Sequence, residues 1–229
     1  GTVRGDNSTL GVTGHIELAT YGTAEMIVSN GSALSSYSLR IAADSGSSGS
    51  LTLSNSTWVN GSHAEIGAGG VGILSLTQGA TGDIGGDLTI GNVNGTGRGE
   101  LAISNGTVNV AGTLTQYANS TYAYTIGNGP LAGGGVNVTG AATIEQGAQL
   151  AARLSGSVAA GDQFVVLTSA DSVTGTYTLL NGGQVTAFLS VNAIYDPDQV
   201  TLVVNMAMDF ADAGLTRNQI ATAGGLQSL

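Results

Sequence analysis

Arg4, Gly5 and Asp6 form the tripeptide that integrins recognise when it stands exposed, a guanidinium and a carboxylate held apart by one small residue. In a Gly-rich chain the same three residues also make a plain loop. A second candidate lies in ADSGSSGS, residues 43–50, where Asp44, Ser45 and Gly46 match the turn in which trypsin-like serine proteases carry their nucleophile. Ser45 would need a base and an orienting acid, and His15 and His63 are the only histidines. Two carboxylate pairs, Asp83 with Asp87 and Asp196 with Asp198 around Pro197, are of the type that polysaccharide-cleaving β-helices use with Ca²⁺ or a basic residue. Each pair lies beside Gly or Pro, where carboxylates shape turns. We therefore expect no catalytic, cofactor or metal site, and keep Arg4, Gly5 and Asp6 as the candidate adhesion residues.

Eight Asn-x-Ser/Thr triplets begin at Asn7, Asn30, Asn55, Asn60, Asn94, Asn105, Asn119 and Asn137. In a eukaryotic secreted protein they would accept glycans. Their recurrence here has a simpler origin, since Asn and Gly turn corners and Ser or Thr opens the next strand. Trp58 is expected to be exposed or to seal a rung, with stacking on a sugar as the functional alternative.

These residues must be carried by some framework, and composition restricts it. Of 229 residues 41% are hydrophobic, enough to bury a core, while only 9% are charged. There are 38 Gly, 2 Pro and no Cys, which removes disulfides and thiolate metal sites. Turn-forming residues between short Val, Ile and Leu runs predict many short strands and little helix. A formal charge of −10, with the five arginines scattered and no lysine, argues against a nucleic-acid partner. No apolar run approaches the ~20 residues of a membrane-spanning helix.

The framework is legible as a repeat. AEMIVSNGS at 24–32, GSLTLSNST at 49–57, GILSLTQGA at 72–80 and GELAISNGTVNV at 99–110 share an apolar-polar-apolar triplet followed by a polar turn. Aligned on the triplet, Met26, Leu51, Leu74 and Leu101 recur at intervals that hold three short strands with their turns, one rung of a parallel β-helix. LRIAADSGSSGSL, AEIGAGGVGIL and LTIGNVNGTGRGEL place a Gly-rich loop of varying length before the triplet, which a solenoid tolerates at one corner. We expect an all-β, right-handed, three-stranded solenoid, with about six rungs in the first 150 residues and with Leu51, Leu53, Leu74, Leu76, Leu101 and Ile103 facing inward.

From Gly112 onward the strands lengthen and Tyr122, Tyr124, Phe164, Tyr177, Phe188 and Tyr195 appear, as a hairpin-like cap that seals the last rung would require. Thr115-Gln116, residues 138–144 (VTGAATI), 147–150 (GAQL), 165–168 (VVLT) and 173–177 (VTGTY) resemble the end of the passenger of a type V autotransporter. The upstream phrases resemble the passenger-associated repeats of that family. Beyond them, Thr216 and Gln219 have capping-box spacing ahead of Ile220, Ala223 and Leu226, which predicts a short terminal helix.

The resemblance implies β-helix rungs over 1–112, an autochaperone cap over 113–208, and a linker over 209–229 leading to an outer-membrane β-barrel. It implies a non-catalytic, virulence-associated adhesin stem, displayed at the bacterial cell surface, whose partners are its own barrel and a host receptor or further copies of itself. The alternative is a phage-type or carbohydrate-active β-helix that binds or cuts polysaccharide.

Overall fold

A computed structural model describes residues 1–129 and 132–207. The chain forms a parallel β-solenoid of about 7 turns, 60% strand and 2% helix, so every structural argument concerns strands and the corners between them. The first rung holds β1 (Thr2–Asp6), β2 (Thr9–Gly11) and β3 (His15–Leu18), and the second β4 (Thr23–Ser29), β5 (Ala33–Ser36) and β6 (Ser38–Ile41). The third is β7 (Ser48–Ser54), β8 (Thr57–Asn60) and β9 (Ala64–Ile66). In the fourth and fifth, β10 (Val71–Ile84) and β12 (Arg98–Val110) run unbroken through one corner before β11 (Leu88–Ile90) and β13 (Leu114–Gln116). The sixth comprises β14 (Thr121–Ile126), β15 (Gly134–Val138) and β16 (Ala142–Ile144), and the seventh β17 (Gln149–Leu154), β18 (Gln163–Ser169) and β19 (Val173–Gly175). After β20 (Thr178–Leu179) the chain makes one 3₁₀ turn, then a hairpin of β21 (Leu189–Asp196) and β22 (Gln199–Met206). The helix expected around Thr216 and Gln219 lies outside the described residues.

Alternation along each strand turns one set of side chains inward, and stacking lines them up. The repeat seen in sequence is this register: Met26, Leu51, Leu74 and Leu101 are successive neighbours, and Tyr122 and Leu150 continue the column. A second column runs Leu34, Trp58, Gly82, Val108, Val136, Leu167. Trp58 is fully buried there, contrary to the exposed or rung-sealing position expected of it. The next rung leaves space for the indole, because a Cβ on Gly82 would stand 3.2 Å from the Trp58 ring. The indole Nε1 donates to Ser36 Oγ at 3.0 Å and Ser36 donates to Asn60 Oδ1 at 2.9 Å, so its polar handle is satisfied inside the core.

The corners explain the turn residues. At the first corner Asn7, Asn30, Asn55 and Asn105 adopt left-handed φ values of 45°, 55°, 45° and 57°, a region that Asn tolerates better than other side chains. Each heads an Asn-x-Ser/Thr triplet, as does Asn119 with φ at 60° ahead of β14, so backbone geometry accounts for five of the eight. The corner before the repeated triplet is the one that varies, spanning 19–22, 42–47, 67–70 and 91–97 in successive rungs.

The stack ends by reversing direction. β22 pairs antiparallel with β18 and with β21, and Pro197-Asp198 form the hairpin turn. The β18 to β22 register skips Val166, and the Tyr122 hydroxyl donates to the Val166 carbonyl at 2.7 Å across the interior. A bulged carbonyl that has left the ladder is thereby satisfied. Tyr124 donates to the Gly134 carbonyl at 3.0 Å, and the Tyr195 hydroxyl accepts from the Tyr177 backbone N–H at 2.8 Å. Burial pushes the Tyr122 and Tyr177 phenols well above their ordinary values, Tyr177 adding to Tyr122 and Tyr195 to Tyr177 by charge repulsion.

Candidate functional surfaces on the solenoid faces

Arg4, Gly5 and Asp6 do not form a loop. They lie in β1, where Arg4 pairs with Ile27, Gly5 with Val28 and Asp6 with Ser29. A strand sends alternate side chains to the same face, so Arg4 and Asp6 both point outward and both are exposed. Asp6 is tied to the next rung: its Oδ1 accepts from Asn30 Nδ2 at 2.5 Å and from Ser29 Oγ at 3.3 Å. The tripeptide is presented as a fixed, extended segment with one carboxylate oxygen already engaged.

Asp83 and Asp87 bond to different residues of the next rung, Asn109 and Thr113. Asp83 projects outward from β10, whereas Asp87 sits at the following corner and accepts from the Thr113 N–H at 2.7 Å and the Thr113 hydroxyl at 2.9 Å. Asp196 ends β21 and Asp198 lies in the hairpin turn itself. There Asp196 accepts from Gln199 Nε2 at 3.2 Å, and the Asp198 carbonyl accepts from the Ser169 N–H at 2.8 Å. Ser45 is exposed at the corner 42–47. His15 contacts Ser38 Oγ and stacks edge-on against Tyr37, and His63 contacts Ser62 Oγ at 3.4 Å, so each histidine is engaged elsewhere. Among the described residues no group of three or more His, Cys, Asp or Glu converges on a point where a metal ion would sit.

What the fold does bring together is a polar ladder that the sequence reading missed. Asp83, Asn109, Asn137 and Thr168 occupy one register position in four successive rungs. Thr168 Oγ1 donates to Asn137 Oδ1 at 2.9 Å, Asn137 Nδ2 to Asn109 Oδ1 at 3.0 Å, and Asn109 Nδ2 to Asp83 Oδ1 at 2.8 Å. All donors point the same way and the chain of bonds ends on the carboxylate. The signal was available, since each residue stands one position before the last residue of the second strand of its rung. It emerges only when the repeat is aligned on that strand.

This ladder forms one wall of an open groove of about 450 Å³ that runs across five rungs, from Val59 to Ala170. Gly61, Gly85, Ala111 and Thr139 form the corner wall opposite. The fully exposed polar faces elsewhere carry isolated pairs, Arg40 with Glu65 at 2.7 Å and Arg153 with Glu100 at 2.6 Å. Compared with protein-family models and with curated proteins, the sequence matches none.

Proposed function

We propose that this chain is the C-terminal stem of an exported autotransporter passenger: a non-catalytic solenoid that nucleates its own folding at the outer surface and carries whatever is joined to its first rung. Its partner in this role is an outer-membrane β-barrel, and its place is the bacterial cell surface. The observation that carries the reading is how the stack finishes: the hairpin of β21 and β22 runs antiparallel to β18 over an interior filled by Tyr122, Tyr177 and Leu202, so parallel rungs stack on one side of it.

A chain threaded outward with its C-terminal part leading would form the closed end first, and each later rung would then add to an existing edge. The absence of cysteine supports the same reading, because no disulfide can obstruct threading. Sequence resemblance over residues 115–177 points to the same family.

The test is display. Joined ahead of an outer-membrane translocator barrel in a Gram-negative host, the chain is expected to reach the surface as a protease-resistant fold. Leu202→Asp, which buries an unpaired carboxylate in the cap, should leave the chain degraded or stalled in the periplasm. Equal surface yield and protease resistance for the two proteins would sink the proposal.

A further inference from the structure

We propose that the groove beside the Asp83, Asn109 and Asn137 ladder binds a neutral, linear, β-1,4-linked hexose chain lying along the solenoid axis. This goes beyond the export role and does not depend on it. The groove crosses five rungs, and four spacings of about 4.8 Å give a straight channel roughly 19 Å long. Its volume falls in the range of small-ligand sites.

Three features select the occupant. The first is hydrogen-bonding capacity. Asn109 and Asn137 each spend one amide N–H and one carbonyl lone pair on their neighbours, leaving one donor and one acceptor free at each of these two rungs, while Asp83 adds free acceptor capacity at a third. Hydroxyl groups both donate and accept, so a polyol can complete every position, whereas a row of pure acceptors such as carboxylates cannot.

The second is apolar surface. Val59 is 53% exposed at one end, and Ala111 and Ala170 line the opposite wall, which gives the C–H faces of sugar rings somewhere to rest. Small residues at Gly61 and Gly85 keep the channel wide enough for a ring.

The third is charge and repeat. Among the described residues Asp83 is the only charged one lining the groove, and the chain carries a formal charge of −10, so polyuronates are repelled. An extended peptide repeats each side-chain face every two residues, about 6.7 Å, and falls out of step with the rungs. A β-1,4 chain of glucose or mannose is straight and advances by close to one rung per residue with successive rings turned over, so equivalent faces recur in step with every second rung, whereas α-1,4 chains coil and cannot follow a straight channel.

The groove can be filled without touching the ladder. Ala111 is exposed and makes none of the ladder bonds, so Ala111→Trp blocks the channel and leaves Asp83, Asn109 and Asn137 in place. Calorimetric titration of the full chain with cellohexaose should give saturable binding that weakens markedly for cellobiose, which spans too few rungs. Ala111→Trp should weaken cellohexaose binding at least about tenfold while thermal unfolding stays cooperative. Asn109→Ala, which removes two hydrogen-bonding positions, should have a similar effect.

No saturable binding of cellohexaose to the unaltered chain would overturn the proposal. So would an affinity unchanged by Ala111→Trp, or hexagalacturonate binding as tightly as cellohexaose. Surface display of the same variants is expected to be unaltered, which keeps this result separate from the export test.

Discussion

The middle rungs and the C-terminal end solve the same problem with different chemistry. From β7 to β12 the core is mainly an aliphatic stack in which Leu lies on Leu and Ile on Ile, with Trp58 as its aromatic exception. From the end of β13 onward the columns are interrupted by Gln116, Tyr122 and Tyr124, and the first corner lengthens, with β14 ending at Ile126 and β15 starting at Gly134, and β17 ending at Leu154 and β18 starting at Gln163. Repetition makes each middle rung replaceable by its neighbour. Among the described residues the end has no further parallel neighbour, and side chains meet some of its last carbonyls, a task that suits phenols with a large apolar body and one hydroxyl. Pairing is incomplete: the Tyr177 hydroxyl and Gln116 Oε1 are buried without a partner among the described residues.

The largest difference between the two regions should appear in kinetics. Leu74 is fully buried between Leu51 and Leu101, so Leu74→Ala removes a side chain that a close-packed stack cannot replace, at about 2–5 kcal/mol. If folding starts at the cap, this loss falls on the unfolding rate and leaves refolding nearly unchanged. Stopped-flow refolding and unfolding in urea separate the two. A refolding rate reduced in proportion to the lost stability would place the nucleus in the middle rungs and reverse the comparison.

Tyr122→Phe probes the cap with one atom. Removing the hydroxyl leaves the bulged Val166 carbonyl without its partner, a loss of about 1–3 kcal/mol at neutral pH. The pH dependence has a fixed sign. Because the folded phenol is raised above the unfolded value of about 10, the unfolded chain releases this proton first, so its contribution is full below pH 10 and is lost progressively above it. Urea melts at pH 8 and pH 11 should therefore show the variant losing less stability on going alkaline than the unaltered chain, with the other phenols that burial raises, Tyr177, Tyr124 and Tyr195, contributing to the remaining slope. An equal alkaline loss in both would mean that Tyr122 ionises freely and is not sealed in.

How much of this could be read beforehand follows from the same division. The column through Met26, Leu51, Leu74 and Leu101 was legible because an identical neighbour above and below imposes an identical residue class. The hairpin around Pro197 was legible from its turn chemistry. Trp58 was not, since its burial depends on Gly82 in the following rung and on Ser36 in the preceding one, residues more than 20 positions away in each direction. Arg4, Gly5 and Asp6 were legible as a string, while their placement in a strand depends on pairing with Ile27, Val28 and Ser29. The groove was hidden for a related reason. Asp83 and Asn109 differ in charge and look unrelated in sequence, and only register shows that they share one position.

Asn55 gives the smallest effect and the sharpest contrast. At this corner the middle rungs rely on one or two left-handed residues, Asn55, Gln78 with Gly79, and Asn105, where the end uses longer loops. With φ at 45°, Asn55→Ala places a Cβ in a conformation that disfavours it, at about 1–2 kcal/mol, while Asn55→Gly should be close to neutral because glycine adopts the same backbone freely. The Asn55 N–H bond to the Thr77 carbonyl at 3.1 Å survives both changes, so neither variant removes a rung contact. Thermal melts should then rank the unaltered chain and the glycine variant together above the alanine variant. If the glycine variant falls as far as the alanine variant, the side-chain amide itself stabilises the corner, and the middle rungs depend on side-chain bonding as the tyrosine-sealed end does.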